Sequence, residues 1–189
     1  RQTHPSPVPA VAVHPIDLAA FWPGYDAVTC RPSTDNTLLI ELEPQAGSLP
    51  KCGRCGQFSP LIHDRRIRLV RDRDLFDQRV LLQLPVRRVD CLSCGRVTER
   101  IDWLEPASRL TQRLRIWLES LLRLLPISHV SQLTGLHWHT LKTLDKRRLQ
   151  AEVGNFDSTG VRRLVMDEFA LHKGHRYATV IMDAERTRG

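Results

Sequence analysis

Cys52-Gly-Arg-Cys55, answered by Cys91-Leu-Ser-Cys94 after a basic insert, is the stretch on which the reading of this chain turns. Each Cys-x-x-Cys turn aims two sulfurs at one spot, and four such soft donors about 2.3 Å from a common centre make a tetrahedral structural zinc site. Gly53, Gly56 and Gly95 let the knuckle backbones turn back toward the metal without a clashing Cβ. The competing readings are two disulfides or four unrelated thiols. Disulfides belong to secreted chains, whereas no apolar signal stretch opens this one and the fifth cysteine, Cys30, would be left odd. Cys52, Cys55, Cys91 and Cys94 are therefore expected to hold zinc in a zinc ribbon, and Cys30 to be a small buried apolar residue.

Composition bounds the rest. No apolar run reaches the roughly 18 residues of a membrane span, and the most apolar stretch, 115–126, is interrupted by Arg115, Glu119 and Arg123. No membrane partner is expected, and a reducing, cytoplasmic, nucleoid-associated setting is. The net charge of +7 is unevenly placed: Lys and Arg outnumber Asp and Glu 12 to 6 in residues 51–100 and 8 to 4 in residues 101–150, whereas residues 151–189 balance at 6 and 6. That is the footprint of a phosphate-backbone partner, although solvated arginine faces are also common. The 189 residues begin at Arg1, the first methionine is Met166, and Gly189 follows closely on a strand-like stretch, so the chain reads as a fragment.

The expected fold class is multi-domain α+β: a small β-rich zinc ribbon, an all-α helix-turn-helix, and a first β-hairpin of a further domain. Residues 1–37 read as a partly disordered leader, Pro-rich to Pro15 and with a Trp22-Pro23-Gly24 turn signal. Residues 38–104 form the ribbon. Leu38 to Leu42, Ile67 to Val70 and Val80 to Leu84 are short strands, the last two separated by the polar Arg71 to Asp74 and Asp77-Gln78, and Val86 to Val89 leads to Cys91. So small a sheet needs its metal for much of its folding free energy. Arg65, Arg66, Arg68, Arg71, Arg73, Arg87 and Arg88 line it, either to hold phosphates or to pair with Asp64, Asp72, Asp74 and Asp90.

From Leu110 the period becomes helical. Leu110, Leu114, Trp117, Leu118, Leu121, Leu122 and Leu125 make one apolar core face, and Pro126 ends the run. Within 105–153, Ser131, Gly135, Leu141 and Leu144 then meet the needs of a helix-turn-helix: a small residue at the helix crossing, a glycine for a left-handed turn, and apolar anchors on the second helix. That second helix, about 138–149, would turn Trp138, His139, Lys142, Thr143 and Lys146, with Arg147 beside them, toward a major groove. A plain helical hairpin is the competing explanation. His137 and His139, two apart, should face different directions and are not read as a metal site. Residues 154–163 read as a linker; Leu164 to Phe169 and Tyr177 to Asp183 read as strands joined by a turn at Lys173-Gly174, the first running into Asp167 and Glu168.

The order zinc ribbon, helix-turn-helix and Val-Met-Asp167-Glu168-Phe-Ala-Leu-His-Lys-Gly-His-Arg-Tyr177 resembles bacterial insertion-sequence transposases of the IS-L-three family. The likeness runs from about Leu38 to Arg188, and its most specific strings are Asp-Glu-Phe-Ala and Lys-Gly-His-Arg-Tyr. The resemblance implies a DNA transposase whose N-terminal modules bind the element's terminal repeats as double-stranded DNA, with a homo-oligomer on paired ends. Its catalytic domain, starting at 164–189, would be RNase H-like, with Asp167 as the first member of an Asp-Asp-Glu triad that holds two magnesium ions. Glu168 points to the other face of the strand and has no catalytic part. Asp183 matches neither remaining triad position, so the expectation is a chain that binds zinc and DNA and does not transpose alone. The alternative is a non-catalytic regulator that occupies the same ends.

Overall fold

The computed structural model describes residues 18–33, 35–105, 108–154, 159–172 and 176–185. They fall into two compact units, Arg1–Leu144 and Asp145–Gly189. The expected turn at Lys173-Gly174, the Pro-rich leader to Pro15 and part of the expected linker lie outside the described residues.

The first unit is a six-stranded sheet followed by helices. After a 3-10 turn at Leu18–Phe21 come β1 (Tyr25–Ser33), β2 (Thr37–Pro44), β3 (Lys51–Cys52), β4 (Ile62–Leu75), β5 (Gln78–Cys91) and β6 (Gly95–Arg100). The sheet order is β1-β2-β5-β6-β3, with β4 on the other edge of β5. β4 and β5 make a long antiparallel hairpin, from Leu75↔Gln78 at its turn to Ile62↔Val89 at its base. On β5's second edge two strands take turns: β2 runs parallel to residues 79–83, and β6 runs antiparallel to residues 88–91. Pro85, which has no N–H to give, sits between those two pairings, where the ladder is interrupted anyway. The gap is filled by a buried ion pair: Arg87 Nε donates to Glu99 Oε2 at 2.8 Å and Arg87 N–H to Glu99 Oε1 at 2.6 Å.

Three sequence-based expectations need correcting. The stretch read as a leader contributes β1, and Trp22 and Tyr25 are 4% and 3% exposed in the core with Ile40, Leu42, Val70, Leu82 and Leu84. The polar Arg71 to Asp74 segment does not divide two short strands; β4 continues through it. Strand alternation explains this, because Val70 and Asp72 face inward while Arg71 and Arg73 face away. Cys30 is also misplaced by the sequence: it lies on β1, which pairs only with β2, and it is exposed.

The helices are α1 (Gln112–Leu124), α2 (Ile127–Thr134) and α3 (Trp138–Val153). Leu114, Leu118 and Leu122 of α1 bury against Val130 of α2 and Leu141 and Leu144 of α3, with Trp117, Leu121 and Leu125 at the margin, as the helical period requires. Thr111 caps α1, its hydroxyl accepting from the Leu114 N–H at 3.3 Å. The cap is itself tied to the sheet. Thr111 N–H donates to Arg71 O at 3.0 Å, Arg71 N–H donates to Arg109 O at 2.7 Å, and Thr111 Oγ1 donates to Asp72 Oδ1 at 2.7 Å.

Asp72, fully buried, also accepts from Trp22 Nε1 at 2.9 Å, from Arg113 Nε at 2.7 Å and from the Arg113 Nη2 group. One carboxylate thus joins the N-terminal turn, β4 and the first turn of α1. In the second unit, β7 (Leu164–His172) and β8 (Arg176–Asp183) form an antiparallel hairpin with Asp167 opposite Val180 and Leu164 opposite Asp183. The boundary between the units falls within α3, ahead of the expected linker at 154–163.

Burial by itself would raise the Asp72 pKa, but hydrogen bonds from Arg113, Thr111 and Trp22 and the Arg113 charge hold it below the usual carboxylate range. Its stabilisation is therefore fully present above the ordinary aspartate value of about 3.9 and disappears as pH falls through the lower folded value. Asp72→Ala leaves Arg113, Thr111 and Trp22 without their acceptor and should cost about 3–5 kcal/mol in denaturant unfolding at neutral pH. A loss under about 1 kcal/mol would contradict this role.

Candidate metal centre and nucleic-acid interface

The cysteine site is built by the ends of three strands. Cys52 closes β3, Cys91 closes β5, and the turn that returns the chain into β6 carries Cys94. β3 pairs with β6 through Cys52↔Glu99, which brings the first knuckle beside the second. All four sulfurs lie within 4.8 Å of one another, and Cys55 Sγ and Cys91 Sγ are 3.7 Å apart. Tetrahedral bonds of about 2.3 Å put ligand sulfurs about 3.8 Å apart, so this spacing fits zinc. Among the described residues this is the one cluster of potential metal ligands.

The first knuckle is pre-shaped. Arg54 N–H and Cys55 N–H point at Cys52 Sγ at 3.4 and 3.5 Å, and Gly56 N–H closes the turn on Cys52 O at 2.9 Å. The Cys55 N–H is the main cause that lowers the Cys52 thiol to about 6, the Arg54 N–H assisting against burial. Burial, then the neighbouring thiols, push Cys94 up to about 12. A dication at the centre of these four sulfurs would stabilise all four thiolates. Gly53 is required for a separate reason: its N–H donates to Thr98 O at 3.1 Å, and an added Cβ would stand 2.3 Å from that oxygen. Gly56 and Gly95 adopt left-handed φ values of 77° and 71°.

The second site is the helix-turn-helix. Gly135 ends α2 at φ 65°, with its N–H on Ser131 O at 2.9 Å. Ser131, the small residue expected at the crossing, donates its hydroxyl to Leu136 O at 2.8 Å. Leu141 and Leu144 anchor α3 in the core as its apolar contacts. Trp138, His139, Lys142, Thr143, Lys146 and Arg147 of α3 are all exposed. Positions 138, 142 and 146 form one helical stripe and 139, 143 and 147 the next. Lys142 Nζ rests 4.9 Å from the Trp138 ring centroid, and Thr143 Oγ1 donates to His139 O at 2.8 Å.

The histidines depart from expectation. His137 lies just before α3, so its ring stacks on that of His139 at 5.3 Å, and its Nδ1 accepts from the His139 N–H at 3.3 Å. Asp167 lies on β7 and is exposed; its neighbour Glu168 accepts from Thr179 Oγ1 at 3.3 Å. Sequence reasoning named Asp72 only as a possible partner of the ribbon's arginines and overlooked Arg113; the signal for the burial of Asp72 was the two-residue alternation carrying Val70 and Asp72 to one face. It also overlooked Arg79, whose guanidinium sits against Gly135; a Cβ there would meet Arg79 Nη2 at 2.6 Å.

The zinc-finger model of the IS204/IS1001/IS1096/IS1165 transposases matches residues 48–94, and the helix-turn-helix model of transposase family ISL3 matches residues 99–149. The chain is 42% identical over 165 residues to the transposase for insertion sequence element IS1001 of Bordetella parapertussis, covering 86% of this chain and 40% of that protein. It is 25% identical over 154 residues to the transposase for IS1557 of Mycobacterium tuberculosis, covering 80% of this chain and 34% of that protein. The chain thus spans two fifths or less of the length of these relatives. No solved structure matches it. The chain belongs to the ISL3 family of insertion-sequence transposases.

Metal analysis of the purified chain should give one zinc per molecule, and removing it with a strong chelator should raise hydrogen exchange throughout residues 51–100; unchanged exchange would mean that the ribbon holds without its ion. Gly53→Ala should lower the melting temperature of the zinc-loaded chain, since the knuckle must move off Thr98 at a cost of about 1–3 kcal/mol. A melting temperature equal to that of the wild type would show that the close approach carries no constraint.

Proposed function

We propose that this member of the ISL3 family is the part of a transposase that docks on the terminal repeats of its element, with α3 in the major groove and the zinc ribbon beside it. The observation that carries the reading is the α3 surface: a left-handed turn at Gly135 sets off a helix whose apolar side is anchored by Leu141 and Leu144. Its outer side offers an amphipathic indole, hydroxyl and imidazole groups, and three cations at 142, 146 and 147. Arg and Lys suit guanine edges or phosphates, Thr suits either, and Trp138 offers apolar contact.

In the complete enzyme Asp167 would be the first of three carboxylates around two magnesium ions, in an RNase H-like domain that β7 and β8 begin. Those ions, when bound, would supply an activated hydroxyl and stabilise the leaving oxygen. The exposed Asp167, opposite Val180 at the centre of the β7–β8 ladder, supports its place as a ligand. Action as a multimer on paired ends, within a nucleoid-associated cytoplasmic setting, completes the proposal. No helix among the described residues is long and apolar enough to cross a membrane.

Binding of the zinc-loaded chain to its element's terminal repeat, read by gel shift against a scrambled duplex, tests the docking. Lys142→Ala should weaken the specific complex by about 1–3 kcal/mol, roughly 5- to 150-fold. An unchanged affinity for the repeat would remove α3 as the reading helix.

A further inference from the structure

The arginines of the ribbon differ in their partners. Arg71 pairs with Asp74 at 2.5 Å, Arg88 pairs with Asp64, and Arg87 pairs with Glu99 at 2.7 Å, so these are structural. The acids Asp72 and Asp90 are taken by Arg113 and by Arg96, the latter at 3.1 Å. Arg54, Arg66 and Arg68 make no ion pair with any described carboxylate, and all three line one cleft of about 660 Å³ between the first zinc knuckle and β4, floored by β6.

Strand geometry puts them there. Along β4 the inward side that carries Asp72 and Val70 over the core continues outward as Arg68 and Arg66, in register with Leu84 and Val86 of β5. Two residues apart on one face, these two positions are about 6.6 Å apart along the strand backbone. Across the cleft Arg54 rides on the knuckle whose backbone Gly53 presses onto Thr98. The two carboxylates at the cleft, Glu99 and Glu105, are engaged by Arg87 and by Arg115, the latter at 2.5 Å. Arg68 is half-buried, donates to Ser108 O, and is pushed below the ordinary arginine range by burial and by the neighbouring Arg109 charge. A cation set in that position, with no carboxylate partner, is stabilised when an anion arrives.

We propose that this cleft is a second DNA site, in which Arg54, Arg66 and Arg68 hold the sugar-phosphate backbone of a duplex segment other than the one read by α3. The inference rests on the docking reading above and deepens it. The cleft offers guanidinium forks and few groups that could tell one base from another, so its contribution is sequence-independent. It adds affinity and fixes orientation, while discrimination stays with α3.

The test is the salt dependence of binding by the zinc-loaded full chain, measured by fluorescence anisotropy on the terminal repeat and on a random-sequence duplex. The Arg54→Ala/Arg66→Ala variant alters two exposed side chains without ion-pair partners, and its zinc content and melting temperature verify its fold. Each phosphate contact contributes about 0.9 to the slope of log K against log salt, so the variant should lose about 2 from the slope on both duplexes. Arg54→Lys/Arg66→Lys should retain the slope. An unchanged slope in the alanine variant, with wild-type binding to the repeat intact, would overturn the cleft and leave the docking reading standing. Equal wild-type affinity for repeat and random duplex, with the slope still lost, would sustain the cleft and reject sequence reading by α3. Absence of wild-type binding to either duplex would overturn both.

Discussion

One buried carboxylate, Asp72, ties the sheet of the first unit to its first helix. Asp72 lies in the interior of β4 yet accepts from an indole, a threonine that caps α1, and a bidentate guanidinium on the first turn of that helix. A charge taken out of water is tolerated only when its lone pairs are filled, so the three donors must be in place together for the chain to fold. The consequence is architectural. The ribbon and the first helix are not beads on a string, because the cap of one is a ligand of the other, and the Arg71–Arg109 and Arg71–Thr111 backbone bonds repeat the tie.

The cysteine cluster lies at the opposite end of the same hairpin. β4 and β5 run fourteen residues each, from the turn near Asp77 to the base near Cys91, so a zinc ion on the four cysteines would close the base while Asp72 secures the region near the turn. Between them lie the apolar core and the buried Arg87–Glu99 pair, where Tyr25 also reaches in, its hydroxyl raised in pKa by burial and by Glu99. The knuckle is held to the sheet by the Gly53–Thr98 contact, which leaves no room for a side chain. Cysteine cluster, core and helix cap are therefore links in one mechanical series.

Much of this was legible in the sequence, where one physical requirement maps onto one residue type. Paired Cys-x-x-Cys turns, the leucine period of α1, and the Ser131–Gly135 spacing of the helix-turn-helix each carry their own geometry, and the structure has them where they were expected. What escaped depends on partners distant in sequence. Arg71-Asp-Arg-Asp74 looks like a polar break because its inward member, Asp72, is made tolerable only by Trp22, Thr111 and Arg113, the last two some forty residues away. Cys30 looked apolar by type, but an edge strand leaves it in solvent. Trp22 and Tyr25 follow a Pro-rich stretch and gave no periodic signal, though they complete the core. The stacking of His137 on His139 likewise turns on where α3 starts, which spacing alone does not fix.

On the proposed reading, α3 is aimed at DNA by a framework that a zinc ion at the four cysteines would close. The most direct measurement is the affinity of the chain for its element's terminal repeat before and after zinc is stripped, with the apo chain reloaded as a control. If ribbon and helices act as one metal-dependent body, stripping should abolish specific binding and reloading should restore it. Specific binding of undiminished strength by the zinc-free chain would show instead that the helix-turn-helix reads DNA independently of the ribbon.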